Sequence, residues 1–460
     1  MDQTSKIRGL RLNGAKTPLQ SISFSILVTA LLSCVGFSHE ARAWGARGHY
    51  LIGFEAAKLV ETLVPADAAS QNFAKFFSER SELVGHLSNV PDNTWRNKKG
   101  MPRVSWLNSP NHFFNPERFL GEPPSLRYPR SWQDYLDRIR NLSPNYMALK
   151  SFFNGQPTAL PALSDQPIRF YKDIGNTPWR AQELFAFMVL AFRCAKAKEG
   201  MTWGEPVDLQ ENAFVLPADL IGENSEPPLP SYQCRKEIHP HSDFMAALIS
   251  GGILSHFIGD EGQPLHPTAD HDGWSTGNGG LHKYFETMVL SEMPESIGDA
   301  VFSLSQNVQF RKWVWSEIVT DVSVPGGVTK LLYKMAANSL DFKDDLVKID
   351  DSVAIVTKSQ ALGYGDHPRY HSEKIANAVR KPPNDPSVVS GFWKLSVERL
   401  SVSSLILAHL YMRAWVVGGR PNLHSFGPIA FPAIRASAFL WPSFDLEAIQ
   451  ESKSSYRRSF

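Results

Sequence analysis

Apolar and polar positions along the chain recur with helical spacing wherever the pattern is clear, and sustained strand-type alternation is rare, so a mainly α fold is expected. Ile52, Ala56, Leu59, Val60 and Leu63 form one apolar stripe, and Leu184, Phe187, Met188 and Ala191 form another within "RAQELFAFMVLAFRCAKA". "SDFMAALISGGILSHFIGD" predicts a helix with Ser242 in the cap position, ended by Gly262 and Pro264. "SVERLSVSSLILAHLYMRAWVVGG" is apolar over most of its circumference and predicts a central core helix closed by Gly418 and Gly419.

From about 115 to 240 the pattern breaks up. Pro, Ser and Asn accumulate in "NPERFLGEPPSLRYP" and "ENSEPPLPSYQ", with helical patches between them. The stretch is expected to be a large Pro-rich insertion on the surface of a single multi-helix domain spanning 44–420, with 421–460 as a C-terminal tail. Internal repeats and low-complexity tracts are absent from the sequence.

The N-terminus changes the picture of where the chain works. Lys6, Arg8, Arg11 and Lys16 precede the apolar run "ISFSILVTALLSCVGF", and "ARA" at 41–43 offers small residues to a signal peptidase. Residues 1–43 are thus predicted to be a signal peptide, with Trp44 the first residue of a secreted or periplasmic protein. A membrane anchor and lipid attachment at Cys34 are the rival interpretations. The apolar run is short for a span, and "LLSC" fits a lipoprotein signal poorly.

Composition, 43% hydrophobic and 20% charged, is that of an ordinary globular chain. No later apolar run is read as a transmembrane segment. Cleavage would remove five of the 47 basic residues and two of the 46 acidic ones, leaving 42 against 44. So near-neutral a chain weakens the case for nucleic acid, although a local basic patch would suffice. Cys194 and Cys234 would survive cleavage and could pair in an oxidising compartment. No feature points to a protein partner.

Residues of ligand type stand out against this background: Trp44, His49, Asp92, His112, His256, Asp260, His266, His282 and Glu286. His256 with Asp260, and His282 with Glu286, are spaced i and i+4, so each pair projects from one helical face and could grip one cation. Imidazole nitrogen and carboxylate oxygen suit zinc. In the apolar setting of "ILSHFIGD", an unpaired carboxylate would be costly to bury, and a metal removes that cost. A His and Asp bonded only to each other would remove it too.

These residues together resemble the superfamily that joins zinc-dependent bacterial phospholipases C to single-strand-specific zinc nucleases of the P-one and S-one type. Its hallmark is a three-zinc site whose first ligand is an N-terminal Trp freed by signal cleavage, and Trp44 directly follows the predicted cut. The resemblance implies that Trp44, His49 and Asp260 hold one zinc. It implies Asp92, His112, His256 and Asp260 for a second, with Asp260 bridging, and His266, His282 and Glu286 for the third. It covers the stretches around 44–60, 90–117 and 240–290. "WGARGH" has the nuclease spacing, whereas "HFFNPE" and "HKYFE", ending in Glu286, are phospholipase-like. Asn115 stands where both branches usually carry Asp, and His112 and His256 are much further apart than in either branch.

The activity so implied is hydrolysis of phosphate esters by a zinc-bound hydroxide, with Asp92 as ligand and as orienter or base for the water. Phospholipid is the leading substrate class and single-stranded DNA or RNA the alternative. A non-catalytic zinc-bearing binding protein is a third possibility. Phe113, Phe114 and Trp95 could contact a head group or base, and Arg96 a phosphate; core packing for the rings and a surface position for Arg96 are the plainer roles. His239, His241, His271 and His409 are expected to be structural or solvated, and Glu261 exposed.

Overall fold

The computed structural model describes residues 44–95, 108–115, 175–199, 240–268, 270–324, 326–353, 355–357 and 377–423. The predicted signal peptide, Cys34, Arg96, Cys234, His239 and most of the predicted C-terminal tail lie outside these residues. The described residues are mainly helical. In chain order the longer helices are α1 (Gly45–Leu63), α2 (Ala68–Ser78), α3 (Ser81–Leu87), α4 (Thr177–Ala197) and α5 (Pro240–Gly262). Leu281–Lys283, Tyr284–Val289 and Leu290–Glu292 then run on as one helical segment, α6, wound as a π-helix in its middle part. After it come α7 (Ile297–Gln306), α8 (Val308–Glu317), α9 (Gly327–Asp341), α10 (Lys343–Val353) and α11 (Pro386–Val417). Two short antiparallel strands, β1 (Ile355–Thr357) and β2 (Val379–Arg380), pair with Ile355 opposite Arg380.

The predicted stripes lie where helical periodicity puts them. Ile52, Ala56, Leu59 and Val60 are fully buried on α1, and Leu184, Phe187, Met188 and Ala191 are buried on α4. Asp67 caps α2 by accepting from Ser70 N at 2.9 Å, and Asp385 caps α11 by accepting from Ser387 N at 2.8 Å. α11 ends at Gly418, as its sequence predicts. By length and composition alone it is long and apolar enough to cross a membrane. Most of it is nevertheless enclosed by the other helices, as a core helix must be. Two of its buried serines are satisfied within the helix: Ser401 donates to Val397 O at 2.7 Å and Ser403 to Arg399 O at 3.1 Å.

One expectation needs correcting. α4 falls within the stretch read as a surface insertion, yet it packs along α5 and is buried on nearly every side. Its apolar residues face all round the helix, and such a helix is stable only when covered on every side. Cys194 is buried on this helix.

Arg399 of α11 secures the far end of α5. Its buried guanidinium donates to Gly262 O at 3.0 Å, Asn338 Oδ1 at 2.7 Å and Ser339 Oγ at 2.9 Å. The carbonyl at Gly262 is one of those a helix C-terminus leaves open, and a cation there also opposes the helix dipole. α5, which carries His256 and Asp260, is thereby fixed in place.

Candidate metal centre

α1, the turn Pro91–Trp95, the turn Ser109–His112, α5 and α6 converge on one buried polar centre inside this apolar frame. α1 and α5 meet closely because Gly259 has no side chain: a Cβ there would lie 2.9 Å from His49 Nδ1 and from Ile52 Cδ1. Trp44 is completely buried, and its indole donates to Gly259 O at 2.6 Å. Its backbone nitrogen donates to Glu286 Oε2 at 2.8 Å.

His112 is brought in by α4. Thr177 Oγ1 donates to Asn111 O at 2.9 Å, Asn176 Nδ2 to Asn111 Oδ1 at 2.8 Å, and Phe114 bridges to Gly175. Gly175 has φ +74°, and a Cβ on it would overlap Phe113 O, so only glycine fits this approach.

Three groups of side chains bring their ligand atoms within 4.8 Å of one another: His49, His256 and Asp260; Asp92, His112 and His256; and His266, His282 and Glu286. All eight residues are buried, and each group could hold a metal ion. The third group matches the expected set. In the first, His256 joins His49 and Asp260, while Trp44 N lies against Glu286.

Asp260 belongs to the first group and also lies close to histidines of the other two. Its Oδ1 is 3.4 Å from His49 Nε2 and 3.8 Å from His266 Nδ1. Its Oδ2 is 3.0 Å from His112 Nδ1 and 3.3 Å from His256 Nε2. Asp92 Oδ1 lies 3.9 Å from both His112 Nδ1 and His256 Nε2.

Main-chain carbonyls orient several of the rings. His256 Nδ1 faces Ser88 O at 2.8 Å, His282 Nδ1 faces His271 O at 2.6 Å, and His266 Nδ1 faces His112 O. A carbonyl accepts only from a protonated nitrogen, so whenever one of these rings is neutral its lone pair is on Nε2. His112 is turned the other way, with Nε2 2.7 Å from the side-chain nitrogen of Asn108.

Electrostatics divide the centre. Burial, reinforced by the His256 ring stacked at 3.8 Å, holds His49 well below the ordinary imidazole value. Burial likewise lowers His266. Burial would also depress His282, but Glu286, 2.8 Å away, and then Asp272 outweigh it and raise His282 to about 9. Burial pushes Glu286 upward, and His282 and His266 overcome it, holding Glu286 at about 2.

The residues fit metal binding. Both ring nitrogens of His49 lack a hydrogen-bond partner although the side chain is fully buried, and polar atoms in that position are costly unless something else satisfies them. A cation held with Asp260 would satisfy one of them, and the low basicity of His49 keeps that nitrogen's lone pair available.

Other expected site residues lie elsewhere. Phe114 is fully buried, 5.2 Å from the Tyr333 ring and 5.9 Å from Trp179, so it is a core residue and not a substrate contact. Trp95 is equally buried beneath the Arg180 guanidinium. Phe113 is half-buried beside His112. Glu261, expected to be exposed, is fully buried beside the Thr177 hydroxyl. Burial pushes its carboxyl well above the usual range, and the Thr177 hydroxyl offsets this only in part. His409 is buried and structural, as expected.

Sequence inspection also missed Gln263, whose Nε2 donates to Glu286 Oε2 at 2.9 Å. Its position between Asp260 and His266 was the available signal. Comparison with protein-family profiles, with curated proteins and with solved structures finds no match to this chain.

Proposed function

We propose that this protein is an exported, zinc-dependent phosphodiesterase with a three-zinc site. The observation that carries the proposal is the convergence of eight buried His, Asp and Glu residues into three groups around Asp260. His49 and Asp260 would hold one ion, with Trp44 as the resemblance implies, Asp92, His112 and His256 a second with Asp260 bridging, and His266, His282 and Glu286 the third. Cleavage before Trp44 would turn its backbone amide into an amine beside Glu286. Zinc, when bound, lowers the pKa of water and neutralises charge that builds on phosphoryl oxygens.

The chain's own groups supply the rest. Asp92 orients a water and accepts its proton on a carboxylate oxygen as the water's oxygen attacks phosphorus; the ester P–O bond breaks and the leaving oxygen takes a proton from solvent. The apolar shell of α1, α4, α5 and α11 keeps bulk water from the buried side of the centre. Phe113, half-buried next to His112, is the aromatic side chain left to meet a head group or base. The phospholipase-like segments "HFFNPE" and "HKYFE" favour phospholipid. The spacing of Trp44 and His49 favours the second substrate class, single-stranded nucleic acid.

Protein beginning at Trp44, assayed on phosphatidylcholine and on single-stranded DNA, tests the proposal. We expect hydrolysis of one of them, loss with a chelator, recovery with zinc, and a fall of about 100- to 10,000-fold in Asp92→Asn. Zinc uptake without hydrolysis of either ester would instead indicate a non-catalytic binding protein.

A further inference from the structure

Arg380 lies far along the chain from every ligand-type residue, yet its guanidinium reaches the loop that precedes His282. Nη2 donates to Asn278 O at 2.6 Å and Nη1 to Gly279 O at 3.0 Å. Nε and Nη2 also grip Asp350, at 3.0 Å to Oδ1 and 2.9 Å to Oδ2. Asp350 is completely buried and accepts from Asn278 Nδ2 at 2.9 Å, so one carboxylate ties the arginine and the loop together. The guanidinium also lies over the Tyr284 ring, 5.1 Å from its centre.

The loop held in this way governs His282. Gly280 turns the chain at φ +83°, and α6 starts directly after it without a capping side chain at Gly280. Asp272 takes over the capping task, accepting from Gly280 N and His282 N at 3.1 Å each. His282 and Glu286 sit one turn apart on the segment that begins there. A shift at 278–280 therefore moves both ligands relative to His266, which lies in the turn after α5.

We propose that Arg380, locked by Asp350, is a positioning residue for the His266, His282 and Glu286 group and sets the affinity of that group for its metal. The inference rests on the metal-centre reading given above. Only a planar fork can span a carboxylate and two carbonyls at once, so lysine cannot replace it fully.

Zinc uptake by the purified chain, followed by competition with a chelating dye, tests the role in Arg380→Met, Arg380→Lys and Asp350→Asn. We expect Arg380→Met to weaken one zinc equivalent by about 10- to 100-fold and leave the others at wild-type affinity. Arg380→Lys should fall between it and wild type. Melting temperature separates positioning from general stability: the rise on adding zinc should shrink in the variants, whereas a purely structural residue would lower the metal-free and zinc-loaded values equally. If Arg380→Met does not fold, Asp350→Asn, which keeps the shape of its side chain, carries the same test. Variants that bind every equivalent as wild type does would overturn the positioning role alone. A wild-type chain that takes up no zinc would overturn the metal centre, and with it this role.

Discussion

Trp44 is joined to Glu286 through its backbone nitrogen, 2.8 Å from Oε2, while its indole is spent on Gly259. One residue thus links the start of α1 to both α5 and α6. The two contacts can be separated by substitution, because only the second depends on the side chain. Trp44→Phe should lose about 1–3 kcal/mol in urea unfolding, the cost of leaving Gly259 O without its buried donor. Its zinc stoichiometry should remain that of wild type, since the backbone nitrogen is unchanged. A variant as stable as wild type would show that the indole bond contributes nothing.

Gly259 makes a second prediction. A methyl group there would press on the His49 ring and the Ile52 side chain together. Gly259→Ala should be destabilised by about 1–3 kcal/mol through overpacking, despite alanine's better helix propensity. It should also bind fewer zinc equivalents, because His49 is displaced from Asp260. Equilibrium unfolding and metal analysis on the same sample would check both effects.

His409 supplies a pH dependence remote from the metal groups. Burial, and then the neighbouring Arg413, lower it to about 4, with Asp321 pulling the other way. Neither ring nitrogen has a hydrogen-bond partner, and Trp315 packs edge-on against the ring at 5.7 Å. The unfolded chain therefore binds a proton near the ordinary histidine value that the folded chain refuses until about pH 4. Stability from this group is full above about pH 6.5 and falls as pH is lowered toward 4, by up to about 3 kcal/mol. His409→Gln should flatten that part of the stability curve, measured as unfolding midpoint against pH.

Much of the frame was legible in the sequence. α1, α5 and α11 follow from apolar periodicity, with Gly at the C-terminal ends of α5 and α11, although α5 begins at Pro240 so that Ser242 lies inside it and does not cap it; the i, i+4 pairs mark His256 with Asp260 and His282 with Glu286 before any fold is known. α4 was misplaced because its Pro-rich flanks look like surface, although "LFAFMVLAF" is apolar on too many sides for an exposed helix. Glu261 was misjudged by residue type: a carboxylate is normally outside, and only the packing of α4 and α9 over that face of α5 reverses this. Arg380 and Asp272 carry no local signature, since what they recognise is peptide nitrogen and oxygen on a loop distant in sequence.

The carbonyls of Ser88, His112 and His271 that aim three imidazoles belong to the peptide chain, and every amino acid has one. Ring direction is in this respect a property of the route the backbone takes. Replacing the side chain at 88 or 271 leaves the oxygen in place, whereas bending the chain there by a fraction of an ångström would swing a ring away from the carboxylates it now faces. Inheritance of this centre thus depends on preserving a path through space more than on preserving letters at those sites.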